Sequence, residues 1–166
     1  MTAERCEKCG FDSEAWSDQA ALDAIGQLPA AWHEVVAGLE TDELQRRPIP
    51  DMWSIAEYTD HLREVLFSMR FVLDSAVDQP GVDLGQAPEP VFAANPRVID
   101  LSLALAGIDA EAKALRDRLA DLPESDWASS AIVGADAVDA HWVCRHAVHD
   151  GTHHLGDVRR LREALG

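Results

Sequence analysis

Basic residues are scarce in this chain. Lys and Arg number 14 against 30 Asp and Glu, a formal net charge of −16 over 166 residues. A surface this acidic repels phosphate backbones and anionic headgroups, which argues against nucleic acid or acidic lipid as a partner. Long apolar runs are also missing, and none approaches the roughly 20 residues of a membrane-spanning helix. The first residues, Met1 to Cys6, lack the basic and then apolar blocks of a secretory signal, so a cytoplasmic location is expected. Cysteine is limited to Cys6, Cys9 and Cys144, and an odd count in that setting argues against a disulfide framework. Apolar residues make up 47 %, an ordinary globular share in a chain long enough to bury its own core.

Helical periodicity dominates what remains. Leu22, Ile25, Pro29, Trp32, Val36 and Leu39 keep 3-4 spacing, with Pro29 marking either a kink or the true start of that helix. A second helix is expected after Trp53, with Ser54 as cap, Glu57 at its third helical position and a stripe of Tyr58, Leu62, Val65, Met69, Val72 and Ala76. The proline-bearing stretch from Asp78 to Pro96 reads as a long loop able to fold over one end as a lid. Asn95 and Pro96 then suit the cap and first position of a third helix, which carries Leu101, Leu105, Ile108, Ala112, Leu115, Leu119 and Leu122 and stops at Pro123. The last helix is expected from about Asp136 to Leu165, and no alternating strand pattern is evident. Four amphipathic helices must bury their stripes on one another. The expected fold is therefore all-α, a four-helix bundle over residues 17–166, preceded by a short CxxC extension over 1–16.

Two groups of side chains carry metal chemistry. Cys6-Glu7-Lys8-Cys9-Gly10 is half of a zinc-knuckle signature, a redox dithiol or a frayed terminus, and the neighbouring sequence supplies no second CxxC or His pair to complete it. Histidine is concentrated at the other end: five of seven lie between His141 and His154. At about 100° per residue, Val143, Ala147, Asp150, His154, Val158, Leu161 and Leu165 share one stripe of the last helix. Asp150 and His154 interrupt that apolar stripe four residues apart, and a buried carboxylate needs a partner or a cation. His61 sits at the rim of the second helix's buried face. Together the three form a set that leaves positions open on a metal, the arrangement of catalytic rather than structural sites. His149 and His153 are the rival i, i+4 pair. Asp157 is placed to orient a ligand imidazole, and Glu57 is a further supporting candidate. His141 and His146 read as surface or supporting polar groups. Zn²⁺ suits the donors, with nickel, iron or manganese as alternatives.

The blocks Arg47-Pro48, Trp53-Ser54, Glu57-Tyr58 and His61-Leu62, followed by His149-Asp150-Gly151-Thr152-His153-His154-Leu155-Gly156-Asp157-Val158, resemble the two halves of the DinB-like metal-binding superfamily. The resemblance spans about 22–165 and extends to mycothiol-dependent maleylpyruvate isomerase-like and thiol S-transferase proteins. It implies a four-helix bundle with a metal between helices. Its ligand trio falls on His61, Asp150 and His154, with His149 as the alternative middle ligand. The mycothiol-dependent branch is similar in placing an acid there, although usually Glu. The resemblance implies an S-transferase or isomerase acting on a small electrophile, in which a metal lowers the pKa of a low-molecular-weight thiol such as mycothiol or bacillithiol.

Other classes are weighed beside it. One is hydrolysis by a metal-activated water. Another is a non-enzymatic metal or stress-response module in which Cys6 and Cys9 sense metal or oxidation. A third is a bundle that has lost its metal, with Trp16, Trp32 and Trp53 as core aromatics. Phe67, Phe71 and Phe92 mark either a homodimer surface or packing beneath loops.

Overall fold

The computed structural model describes residues 3–86 and 96–166. Four long helices carry the fold: α1 (Asp18–Val36), α3 (Ile55–Asp78), α4 (Leu101–Ala120) and α5 (Ala140–Leu165), with a short α2 (Thr41–Gln45) between the first two. α1 packs chiefly on α4 and α5, and α3 packs on the same two. The order around the bundle is therefore α1, α4, α3, α5, so the connections from α1 to α3 and from α4 to α5 cross diagonals. This places α3 beside α5, the two helices expected to share a metal. The core between them is apolar, with Trp32, Ile25, Leu62, Leu66, Ile108, Leu115 and Leu161 almost fully buried. Arg70–Glu111 at 2.9 Å and Arg118–Asp74 at 2.8 Å tie α3 to α4 outside it.

Local chemistry sets where each helix starts. Ser17 Oγ accepts from the Ala20 N–H at 3.2 Å, so α1 starts at Asp18 and Pro29 lies in its interior rather than at its start. Ser54 caps α3 as expected and forms a capping box with Glu57. The expected start of α4 is wrong. Asn95 lies outside the described residues, and Pro96 precedes the helix by five positions. Asp100 is the cap, accepting from the Ser102 and Leu103 N–H groups. The residues before it are held by side chains: the Arg97 N–H donates to Glu57 at 3.0 Å, and Gln45 brackets Ile99 through both its N–H and its C=O. Backbone groups engaged in that way cannot enter a helical turn.

Two small hairpins, against the all-helical expectation, complete the fold of the described residues. β1 (Arg5–Cys6) pairs antiparallel with β2 (Phe11–Asp12). β3 (Ser130–Val133) pairs antiparallel with β4 (Asp136–Asp139) around Gly134, whose φ of +64° suits glycine. Consequently α5 starts at Ala140, not near Asp136, with Asp139 capping through the Trp142 N–H at 2.9 Å. Strands this short leave no readable alternation. The segment after α3 runs along β3, with Leu84 N–H donating to Ile132 C=O and Ile132 N–H to Val82 C=O. The rest of the expected lid, residues 87–95 with Phe92, lies outside the described residues. Phe67 and Phe71 are about half exposed on α3. No described helix is long and apolar enough to cross a membrane.

Candidate metal centre

α3 and α5 bring His61, Asp150 and His154 together. Their donor atoms all lie within 4.8 Å of one another. Asp150 stands between the imidazoles, with Oδ2 3.8 Å from His61 Nε2 and Oδ1 3.4 Å from His154 Nε2. All three are mostly shielded from solvent. Trp53 lies edge-on to His61 at 5.0 Å, and Tyr58 covers His154 at 5.0 Å. Gly151 follows Asp150 on the buried side of α5. A Cβ there would come within 2.7 Å of Leu28, so the missing side chain lets α1 approach the helix that carries two of the three donors.

Asp157 stands beside His154. Its Oδ2 accepts from His154 Nδ1–H at 3.0 Å, which fixes the tautomer and turns Nε2 toward Asp150. Arg160 holds the other Asp157 oxygen. Glu57 is engaged elsewhere: Arg47, the Ser54 N–H and the Arg97 N–H take its oxygens, so it secures the loops around the start of α3. His141 meets Asp18 at 3.0 Å and His146 meets Glu4 at 3.0 Å.

The electrostatics favour a cation at the trio. Burial is the main reason that His61 is pushed below the ordinary histidine value, which keeps it neutral and able to ligate. Burial also opposes charge on Asp150, but His154 outweighs it and the carboxyl is held below its usual range. Burial likewise opposes charge on His154. The flanking Asp150 and Asp157 outweigh it and raise the imidazole to about 9. A proton on His154 therefore occupies, in electrostatic terms, the place of a positive ion beside Asp150. Tyr58 is pushed up to about 12 by burial and by Asp157, so its hydroxyl stays protonated.

The rival pair has a different place. His149 and His153 do not join His61; they meet Cys6 and Cys9, all four donors lying within 4.8 Å of one another. Cys6 Sγ is 3.5 Å from His153 Nδ1. The neighbouring sequence supplies no His pair for the CxxC; the distant pair on α5 comes to it because the first hairpin folds back onto that helix. The i, i+4 spacing of His149 and His153 was the available signal. The partnership of Glu4 with His149 carries no sequence signal at all.

A four-helix bundle with a three-donor set between two of its helices is the class that this fold and site define. Residues 24–158 match the DinB superfamily, and the chain belongs to that superfamily. No curated protein matches it in sequence. Among solved structures it is similar to YfiT from Bacillus subtilis, described as a probable metal-dependent hydrolase with an unusual four-helix bundle topology. The TM-score is 0.68 at 12 % identity, covering 86 % of each chain.

Proposed function

We propose that the chain is a metal-dependent enzyme that transfers a low-molecular-weight thiol to a small electrophile. The observation that carries this reading is the donor set itself: His61, Asp150 and His154, drawn from two non-adjacent segments, shielded and within 4.8 Å of one another. Three protein donors are fewer than zinc requires, so such a set keeps room for an exogenous ligand. The residues fit a divalent ion, because a mostly buried carboxylate otherwise shared by two imidazoles is the cation-seeking element of the site. Zn²⁺ suits the set best, and nickel, iron and manganese accept the same donors. A bound divalent ion supplies Lewis acidity that favours the thiolate form of a thiol at neutral pH. Around it, Asp157 fixes the His154 tautomer, and Trp53 and Tyr58 wall the site from water.

The likeness to YfiT favours a second reading, hydrolysis at the same donors. The two separate by experiment. Thermal shifts are measured with mycothiol or bacillithiol on zinc-loaded, metal-stripped and His61→Ala protein. Stabilisation of the loaded wild type alone supports thiol transfer. Cleavage of an activated ester by the loaded protein, without thiol and lost in His61→Ala, supports hydrolysis. Wild-type protein that takes up no metal at the trio, with His61→Ala indistinguishable from it, defeats both.

A further inference from the structure

The CxxC hairpin and the His149/His153 pair lie outside the trio, and nothing in the proposed reaction uses them. We propose that Cys6, Cys9, His149 and His153 form a second, closed Zn²⁺ site that staples the N-terminal hairpin to α5.

The donor set is chemically complete. Two thiolates and two imidazoles are a common structural zinc set, with all four positions filled by protein. Zn–S bonds of about 2.3 Å and Zn–N bonds of about 2.0 Å in a tetrahedron place donor atoms roughly 3.3–3.8 Å apart. Cys6 Sγ and His153 Nδ1 already stand 3.5 Å apart, and the four donors fall within 4.8 Å. Small rotamer changes therefore suffice.

A second observation points to a ligand independently. His149 Nε2 is buried and has no hydrogen-bond partner. A buried polar nitrogen left unpaired is costly, so an orphan of this kind calls for an occupant. Its other nitrogen is committed: Nδ1–H donates to Glu4 Oε1 at 2.6 Å. That carboxylate–imidazole pair fixes the tautomer with Nε2 free to bind, the support that metal-ligating histidines commonly have. His153 would bind through Nδ1, while its Nε2 lies 3.7 Å from the Asp157 carboxylate, an electrostatic contact rather than a hydrogen bond.

The hairpin holds the thiols in place. Gly10 N–H donates to Cys6 C=O at 2.8 Å, and the φ of +74° at Gly10 permits the tight turn after Cys9. Phe11 stacks on the His149 ring at 4.6 Å, which docks the hairpin on α5, and a few residues beyond it Arg145 Nε–H donates to Trp16 C=O at 3.1 Å. His153 is sequence-adjacent to His154, and Asp157 faces both, so the staple also steadies the segment that carries the trio.

The test uses full-length protein, metal-stripped and reduced, titrated with Co²⁺ and then Zn²⁺. Wild type is expected to take up one ion at each site, with near-ultraviolet thiolate-to-cobalt charge transfer belonging to only one of them. C6S/C9S abolishes that absorption and lowers zinc content by one ion per chain, while His61→Ala keeps the absorption and loses the other ion. If C6S/C9S unfolds, wild type still decides: modifying Cys6 and Cys9 in the zinc-loaded chain releases one zinc, and both react faster after a chelator removes it. Absent charge transfer, or thiols equally reactive with and without zinc, overturns the proposal. So does a Cys6–Cys9 disulfide that forms equally fast in zinc-loaded protein. Loss of the trio's ion alone bears on the proposed function and leaves the staple standing.

Discussion

Replacing Glu57 by Gln perturbs the least exposed charged side chain among the described residues. Glu57 is 1 % exposed, and the Arg47 guanidinium that meets it is nearly as sheltered. Burial by itself raises the carboxyl. Arg47 and the N–H groups of Ser54 and Arg97 outweigh that and hold it down from 4.5 to about 2. At about 1.4 kcal/mol for each pKa unit, the ionised carboxylate contributes on the order of 3 kcal/mol. A second route agrees, since breaking a buried pair by removing one partner costs about 3–5 kcal/mol. For a chain of this length the expected loss in Tm is about 6–12 °C. Because the folded pKa is depressed, this stability is present above pH 4.5 and is lost as the pH falls toward 2. The assay is urea unfolding of metal-stripped wild type and Glu57→Gln across that range. The gap should be full at neutral pH and close in acid, where the wild-type carboxyl is also uncharged. A gap below about 1 kcal/mol at neutral pH, or one that persists in acid, refutes the reasoning.

Further outcomes follow from the same geometry. Gly151→Ala should destabilise the bundle by about 1–3 kcal/mol despite alanine's better helix propensity, because its Cβ meets Leu28; Leu28→Ala in the same chain should recover part of the loss in thermal unfolding. Asp157→Asn should weaken Zn²⁺ binding at the trio by about 10–100-fold in chelator competition, through loss of the His154 tautomer, with little change in helical circular dichroism. The raised pKa of His154 gives apparent Zn²⁺ affinity at the trio a slope of about tenfold per pH unit below 9, levelling above it. Calorimetry in buffers of different ionisation enthalpy should register the released proton. In the metal-free protein the same imidazolium contributes stability that is full below pH 6.5 and lost as the pH rises through about 9, seen as a falling Tm over that interval.

Much of the bundle is legible in the sequence because its signals are local. A 3.6-residue apolar period and the Ser54–Glu57 box depend on residues within a turn or two of one another, and α3 starts where they place it. Asp150 and His154 were identifiable for the same reason: polar residues that interrupt an apolar stripe four apart reveal themselves within a single helix. The start of α4 was missed because non-local bonds decide it. Pro96 and the residues before α4 have acceptable local helix signals, but Gln45 and Glu57 reach across from other segments and take their backbone groups. Helix α5 is shorter than its local signals suggest because pairing with β3, itself anchored by the segment after α3, claims Asp136–Asp139.

The sequence by itself determined the helical period and the family blocks, and it singled out His61, Asp150 and His154. Only the tertiary structure decided which donors share a site. It brought His61 to Asp150 and His154 by placing α3 beside α5, and it sent His149 and His153 to the cysteines by folding the first hairpin onto the same helix. Successive side chains on a helix are separated by about 100°, so His153 faces the cysteines and His154 faces Asp150, although Asp157 lies against both. A linear chain lists its ligands in order, but contact between distant segments sorts them into sites.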